Sequence, residues 1–430
     1  MSKNSGVGAV HPQLEDLLTE IETTEDAVEG DVRSEDYVPP FTGMSAQSYE
    51  KYLKRAAYFN LIERTLQAII GAMVRKDYVL DGSGTIEFDE AYSMEDGLIE
   101  TYDNILTTGR CAYLWDPTPD MPRRVVQYDS DDILNWGNGF VVLDACRLVS
   151  DPQDPFSQVE EERRLVLSLG GSGATPVYTM QYFVWRGTEQ AGQWVPESDP
   201  IVPQFRGKPL NFIPLISITP SGLTLEPSKP VLYTLATLNI QHFNLCSTIA
   251  YGARFFALPK PYIAGDFHAV NADGTGPTTI TLGQEDVLLL KQGGQAGFME
   301  FTNSGGMKFL ADERQKLEDQ MVMLGSRMLT QKAGVESVDA MSLRLATETA
   351  VLVAIVKSVE AGLNTLLEWM AAVDGKQATI SLNKDLAPES LSPQQVEALL
   401  KSLAAGAITV DQLLQRFYES EFVAPPDQQA

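Results

Sequence analysis

Histidine and cysteine, the types most used for acid–base, nucleophilic and metal chemistry near neutral pH, are scarce in this 430-residue chain: three histidines, His11, His242 and His268, and three cysteines, Cys111, Cys146 and Cys246. Hydrolysis needs a nucleophile, a base beside it and donors for the developing oxyanion. No GxSxG, HExxH, GxGxxG or GxxxxGK[ST] string gathers such groups. Asp129, Asp131 and Asp132 are the best cation candidate, because hard cations take several carboxylate oxygens. Adjacent acids on a loop also serve as solvated turn residues, and that reading is preferred. His242 falls mid-helix beside an apolar stripe and reads as a satisfied core or interface histidine. The glycines of GGSGATP (170–176) imitate a phosphate loop, but no Lys-Ser or Lys-Thr follows, so they read as a turn. The cysteines stand apart without a CxxC pair, which gives neither a disulfide framework nor a zinc motif and fits a reducing cytoplasm. The expectation is a non-enzymatic chain with no catalytic residue, metal or cofactor.

The bulk composition points the same way. A net charge of -26, from 32 basic and 58 acidic residues, opposes the phosphate contacts that wrap nucleic acid. It tolerates a surface that DNA must pass without sticking. A 44% hydrophobic content supplies a core. The N-terminus shows no charged start followed by an apolar stretch, so no signal peptide is expected. The most apolar helix, around Thr349 to Met370, carries Lys357, Glu360 and Glu368. It reads as buried or partner-facing, and no membrane is expected.

The elements that would position such residues can be read in order. Residues 1–40 hold ten acids and a single Arg33 between Glu15 and Asp36, then Pro39-Pro40, so a disordered acidic tail is expected over any short helix at Leu14 to Ile21. Tyr52, Ala56, Phe59, Leu66, Ile70 and Met73 recur at helical spacing, and a second helix, Met94 to Leu106, ends at Gly109 in a left-handed cap. RCAYLWD, with Cys111, Tyr113 and Trp115 on one face, and GFVVLDACRLV, RRLVLSLGG, VYTMQYFVWRG and NFIPLISI read as strands. Pro230 opens a helix that Pro259 and Pro261 stop, and a β-like patch spans Tyr262 to Met307. A helix follows from Phe309. Another, marked by Leu345, Leu352, Val356, Val359, Leu363, Leu366 and Met370, follows a short break around Gly334. Ser392 with Gln395, and Thr409 with Gln412, make capping boxes for two short C-terminal helices.

This order resembles that of the portal proteins of tailed bacteriophages. The strings that carry the resemblance are YLKRAAYFNLIERTLQAIIGAMVRK with GRCAYLWD, LYTLATLNIQHFNLCSTIAYG with ALPKPYIAG, LEDQMVMLGSRML with ESVDAMSLRLATETA, and then ISLNKDL and GAITVDQLL. Together they cover roughly residues 45–420. The resemblance implies an α+β, elongated portal-type subunit. Residues 41–228 would be an α/β wing, 229–258 a stem helix, 259–308 a β-rich clip, and 309–331 a second stem helix. A tunnel loop at 332–342 would follow, then a long wing helix with its return strand at 343–384, and a helical crown at 385–430. It further implies a homo-oligomeric ring of about twelve copies at one capsid vertex in the virion, assembled in the host cytoplasm. Double-stranded DNA would be packaged and ejected through the ring without sequence specificity. The terminase large subunit, the neck or tail adaptor, and the major capsid protein with its scaffold would be partners. The channel-lining residues would be Lys332, Ala333, Gly334, Val335, Glu336, Ser337, Val338 and Asp339: Gly334 gives backbone freedom, Glu336 and Asp339 repel phosphate, and Lys332 attracts it modestly. The wide apolar face of the helix at 345–370 is expected to be covered by neighbouring subunits. The rival readings are another ring-forming virion neck or scaffold protein, a cellular oligomeric adaptor, and a metal-dependent hydrolase using Asp129, Asp131 and Asp132.

Overall fold

The computed structural model describes residues 3–89, 93–118, 120–150, 154, 156–170, 175–188, 191–257, 260–264, 295–299, 305–327, 350–386, 393–404 and 409–419. Helix and strand are mixed along the chain. After a short 3-10 turn at Gly6–Gly8 come α1 (Pro12–Glu15), α2 (Leu18–Glu29), α3 (Ala46–Arg55) and α4 (Leu61–Met73). Strands β1 (Val79–Gly82) and β2 (Glu87–Phe88) precede α5 (Met94–Thr107). Then follow β3 (Cys111–Trp115), β4 (Arg124–Tyr128), β5 (Ile133–Gly137), β6 (Phe140–Asp144), β7 (Arg147–Ser150), β8 (Gln158–Glu161), β9 (Arg163–Gly170), β10 (Val177–Gly187), β11 (Gly192–Pro196), β12 (Leu215–Thr219) and β13 (Gly222–Leu223). The rest is α6 (Tyr233–Ala257), β14 (Lys260–Ala264), β15 (Gln295–Met299), α7 (Gly305–Arg327), α8 (Ala350–Asp374), β16 (Ala378–Ser381), α9 (Pro393–Ala404) and α10 (Val410–Glu419). These elements fall into two compact units, one of residues 1–29, 61–237 and 324–430, the other of residues 30–60 and 238–323.

The first unit holds two five-stranded sheets, ordered β11-β10-β9-β6-β5 and β13-β12-β3-β4-β2, and the small pairs β1–β16 and β7–β8. Only β2 and β4 run parallel; the other neighbours in these sheets are antiparallel. β3 lies between β12 and β4, and all five of its residues are buried, so the expected division into an inner and an outer face gives way to a central strand covered on both sides. GFVVLDACRLV is likewise two strands. The Asp144 carboxylate accepts the Cys146 N–H at 2.8 Å, a side-chain turn that sends β7 away to pair with β8. α5 opens as a capping box, with Asp96 N–H donating to Ser93 Oγ and Ser93 N–H to Asp96 Oδ2, each at 3.1 Å. It closes before Gly109, whose φ of +82° is the expected left-handed cap.

The acidic N-terminal segment departs from expectation. Where it is described it is helical rather than disordered, with Leu14, Ile21 and Ala27 at 0–1% exposure. Ile21, Thr24 and Ala27 fall on one face of α2, which packs against α4 and α5 and leaves most of the acids outside. The acid count hid a buried stripe.

The apolar face of α8 is a second correction. Ile355, Val356, Val359, Leu363, Leu366 and Leu367 are fully buried within this one chain, against β12, β13, β16 and α5. At roughly 1.5–3 kcal/mol per large aliphatic side chain, that face is satisfied without a neighbouring subunit. Glu360, one of the charged residues that argued against a membrane span, has a structural task beside Asn364. Asn364 Nδ2 donates to the Ile380 carbonyl and Asn364 Oδ1 accepts the Ile380 N–H, each at 2.9 Å, while Glu360 Oε2 accepts the Leu382 N–H at 2.8 Å. They complete the outer edge of β16, whose inner edge pairs with β1. Asn364→Leu should therefore leave the Ile380 N–H and carbonyl without partners and cost about 2–4 kcal/mol, read as a lower urea midpoint at unchanged slope.

In the second unit, α6 is gripped through its polar side chains. Asn239 Nδ2 donates to the Phe59 carbonyl at 3.1 Å and Asn244 Nδ2 to the Tyr37 carbonyl at 3.2 Å, while Phe243, fully buried, meets the Tyr58 ring edge-on at 5.5 Å. β14 and β15 pair antiparallel, Lys260 opposite Met299. Near the C-terminus, Gln412 N–H donates to Thr409 Oγ1 and Thr409 N–H to Gln412 Oε1, the expected capping box of α10. Ser392 lies outside the described residues; Pro393 opens α9 as the first-turn proline expected.

Candidate functional site

The residues singled out for chemistry divide into three groups. His242 is buried on α6, where helical spacing puts it one turn from Cys246 and opposite α7. Its Nε2 lies 3.3 Å from Glu318 Oε1, Arg314 Nε is 3.2 Å from the same oxygen, and Cys246 Sγ is 3.6 Å from Nε2. A Cys–His pair at this spacing could be a nucleophile and its base. Burial, however, pushes the Cys246 thiol upward, the opposite of what an attacking thiolate needs. The seam holds α6 to α7 through a satisfied polar group, as the sequence predicts for His242.

The second group is Asp129, Asp131 and Asp132, on the loop between β4 and β5. They are not freely solvated turn acids. Burial first, and then their mutual repulsion, drive the Asp129 and Asp132 carboxyls well above the usual carboxylate range. Asp129 Oδ1 accepts the Asp132 N–H at 3.3 Å. Arg110, fully buried, spends its guanidinium on the carbonyls of Ser130 at 2.6 Å, Ile133 at 3.1 Å and Leu225, and lies 4.8 Å over the Trp136 ring. Burial lowers its pKa to about 9. Among the described residues, no group of three or more His, Cys, Asp or Glu side chains is arranged to hold a metal ion. Nor does a recess of about 710 Å³ beside the end of α8 bring catalytic groups together: Leu367, Ala371, Ala372 and Ala378 line it with Asp81, Glu368 and Thr379, and no histidine or cysteine is among its walls.

The third group, Lys332, Ala333, Gly334, Val335, Glu336, Ser337, Val338 and Asp339, lies outside the described residues, as do His268 and the middle of the patch expected at 262–307. The segments before and after the 332–339 group are in place: α7 ends at Arg327 and α8 begins at Ala350. His11, expected in a free tail, caps α1 by accepting the Gln13 N–H on Nδ1 at 3.3 Å, and stacks on Trp136 at 3.9 Å. Two residues that organise the first unit, Arg110 and Arg123, escaped sequence reasoning. An arginine beside a strand start reads as a surface charge, and the carbonyls that receive it come from distant segments.

A family model described as Domain of unknown function (DUF4055) matches residues 231–373. No curated protein matches the sequence. Among solved structures, the chain is similar to one described as the neck of an empty GTA particle computed with C6 symmetry, at 14% identity and TM-score 0.39 over 84% of this chain and 91% of that one. It is similar to a chain of the virion of a native gene transfer agent particle, at 15% identity and TM-score 0.37 over 91% and 94%. It is also similar to an HK97 family phage portal protein from Corynebacterium diphtheriae, at 12% identity and TM-score 0.33 over 80% and 96%.

Proposed function

We propose that the chain is the repeating subunit of a portal-type ring at one vertex of a phage-like particle. The observation that carries this reading is the interruption of the first unit. Its α/β scaffold runs to β13 and is then left open while the chain makes α6, the paired strands β14 and β15, and α7. Only afterwards do α8 and β16 return to complete it, β16 pairing with β1 and α8 covering β12. At 1.5 Å per residue, α6 and α7 are each about 35 Å long, and the His242–Glu318 contact ties one to the other. Two long helices flanking a strand pair, inserted in the sequence between parts of an α/β body, are what a stem and clip require. In this reading residues 41–228 and 343–384 are the wing, 229–258 and 309–331 the stem helices, 259–308 the clip and 385–430 the crown.

The ring passes double-stranded DNA during packaging and ejection, and the terminase and neck adaptor dock on it. The net charge of -26 supports sliding over gripping, because each retained phosphate contact must be broken for DNA to advance. Lys332 to Asp339 then form the compliant loop facing DNA. Native mass spectrometry with negative-stain imaging tests the reading. A ring of about twelve copies with a central hole is expected; a monomer or dimer with a globular outline and no stem would overturn it. Deleting residues 332–339 should shorten packaged DNA, and packaging to normal length would remove that loop from the channel.

A further inference from the structure

Two surfaces of the first unit carry opposite charges that nothing in the same copy neutralises. The first is an arm at residues 200–210. Its sequence, PIVPQFRGKPL, holds Arg206 and Lys208 and no acid, in a chain of net charge -26. Both ends are pinned to β10. The Ile201 N–H donates to the Met180 carbonyl at 2.8 Å, the Met180 N–H to the Ile201 carbonyl at 2.9 Å, and the Tyr178 N–H to the Leu210 carbonyl at 2.9 Å. Between these ties the chain reverses in two residues, with the Phe205 N–H on the Lys208 carbonyl at 2.8 Å and the Lys208 N–H on the Phe205 carbonyl at 3.2 Å. Arg206 and Gly207 form the tip at φ +50° and +76°. Such a tip favours asparagine, aspartate or glycine at its first position, and Arg206 is the one non-glycine residue at positive φ among the described residues. The strained tip persists because its base is fixed: Phe205 is 4% exposed and meets the Trp115 ring edge-on at 4.6 Å. Ile201, Val202, Arg206 and Lys208 stand exposed, and among the described residues neither cation is in an ion pair.

The second surface is the recess beside the end of α8. Leu367, Ala371, Ala372 and Ala378 give it an apolar floor, and Asp81 and Glu368 stand exposed on its rim. Among the described residues neither acid is in an ion pair, and Lys376 is not among the walls. About 710 Å³ exceeds the volume of an arginine, a glycine and a lysine together. No residue of the arm lines the recess in its own copy. The chain just past the arm lies elsewhere on α8: Phe212 meets the Trp369 ring at 4.8 Å, and Trp369 is turned about a third of the way round the helix from the recess wall. A head-to-tail contact between copies needs two such complementary surfaces facing different ways. We propose that the tip of Arg206 and Lys208 seats in the acid-rimmed recess of a second copy, with Ile201 and Val202 against its apolar edge. This contact rests on the ring reading above and names surfaces that join neighbouring copies. Rim pairs of this kind set partner and register, and the fixed turn lessens the ordering that binding must impose on two long side chains.

Carbodiimide coupling of a mixture of unlabelled and heavy-isotope-labelled full-length protein tests the contact. Peptides joining Lys208 to Asp81 or Glu368 should pair a light half with a heavy one, as a contact between copies requires. Arg206→Glu with Lys208→Glu should weaken self-association by about tenfold, read by native mass spectrometry across a dilution series. Asp81→Lys with Glu368→Lys should do the same, and the four changes in one chain should restore it. Undiminished association in both reversed variants, with no mixed-label peptide, overturns the proposal and leaves the ring reading standing. Weakening that the four changes fail to restore overturns it too. A chain that stays monomeric throughout the series overturns both the contact and the ring.

Discussion

Replacing Gly109 by alanine is expected to destabilise the protein by about 2–5 kcal/mol, measured as a shift in urea midpoint at constant slope. Two effects add. The residue sits at φ +82°, where an L side chain is disfavoured by about 1–2 kcal/mol. A Cβ there would lie 2.0 Å from the Ser228 carbonyl oxygen. That oxygen is backbone and cannot swing aside as a flexible side chain would, so the clash costs about a further 1–3 kcal/mol. The close approach has a purpose. The Leu232 N–H donates to the Leu106 carbonyl at 3.2 Å, so the end of α5 and the lead into α6 are joined here, next to the fully buried Arg110. A change below about 1 kcal/mol would mean that the chain does not pass this closely.

The second large effect belongs to Arg123, which is 3% exposed. Its Nε and Nη2 each donate to an Asp374 carboxylate oxygen at 2.8 Å, Nη1 to the Thr85 carbonyl at 2.9 Å, and Nη2 to the Lys376 carbonyl at 2.7 Å. One guanidinium thus joins the start of β4, the approach to β2 and the end of α8. Arg123→Met should cost about 3–5 kcal/mol, since it strands a carboxylate and two carbonyls together. Asp374→Asn should cost less. The double variant should cost less than the sum of the two, and strict additivity would mean no coupling across the pair. The pH dependence has a definite sign. The Arg123 hydrogen bonds hold the Asp374 carboxyl below its ordinary value, so the unfolded chain binds more protons than the folded one as acid is added. The pair's contribution is complete above about pH 4 and is lost as pH falls through the lowered value. Arg123→Met should flatten that acid limb, while an unchanged limb would place its origin in other carboxylates.

The sequence disclosed most where a single element sufficed to explain a pattern. α5 with Gly109, α6 from the prolines around it, α7 and α8 from their apolar steps, and the Thr409–Gln412 box are local signals, and each stands where the spacing put it among the described residues, Leu345 lying outside them. What stayed hidden depends on contacts between distant segments. The acids of residues 15–36 outweighed a buried stripe whose partners, α4 and α5, come tens of residues later. β4, β5 and β11 are short and half-buried, with weak alternation, and they are strands because β3, β6 and β10 offer them edges. The wide apolar face of α8 was legible, but its cover was not; hydrophobicity reports that a face must be buried, not whose atoms bury it. For the candidate site, His242 was read correctly as a packed residue. The Asp129–Asp132 loop was misread because burial, which sets carboxyl behaviour, is invisible in four consecutive letters.

The pairing of β1 with β16 has a consequence for synthesis. Val79 finds its partner, Ser381, only after the whole excursion between them has been made. At about 5–20 residues per second, β1 waits roughly 15–60 s on the ribosome for the strand that completes it. Once made, β12 and β13 lack the helix that will cover them until its residues follow, and the exposed apolar surface invites association with other nascent chains. The protein must therefore be born slowly closing, and its yield in cells should depend on chaperone supply more than its final stability would indicate.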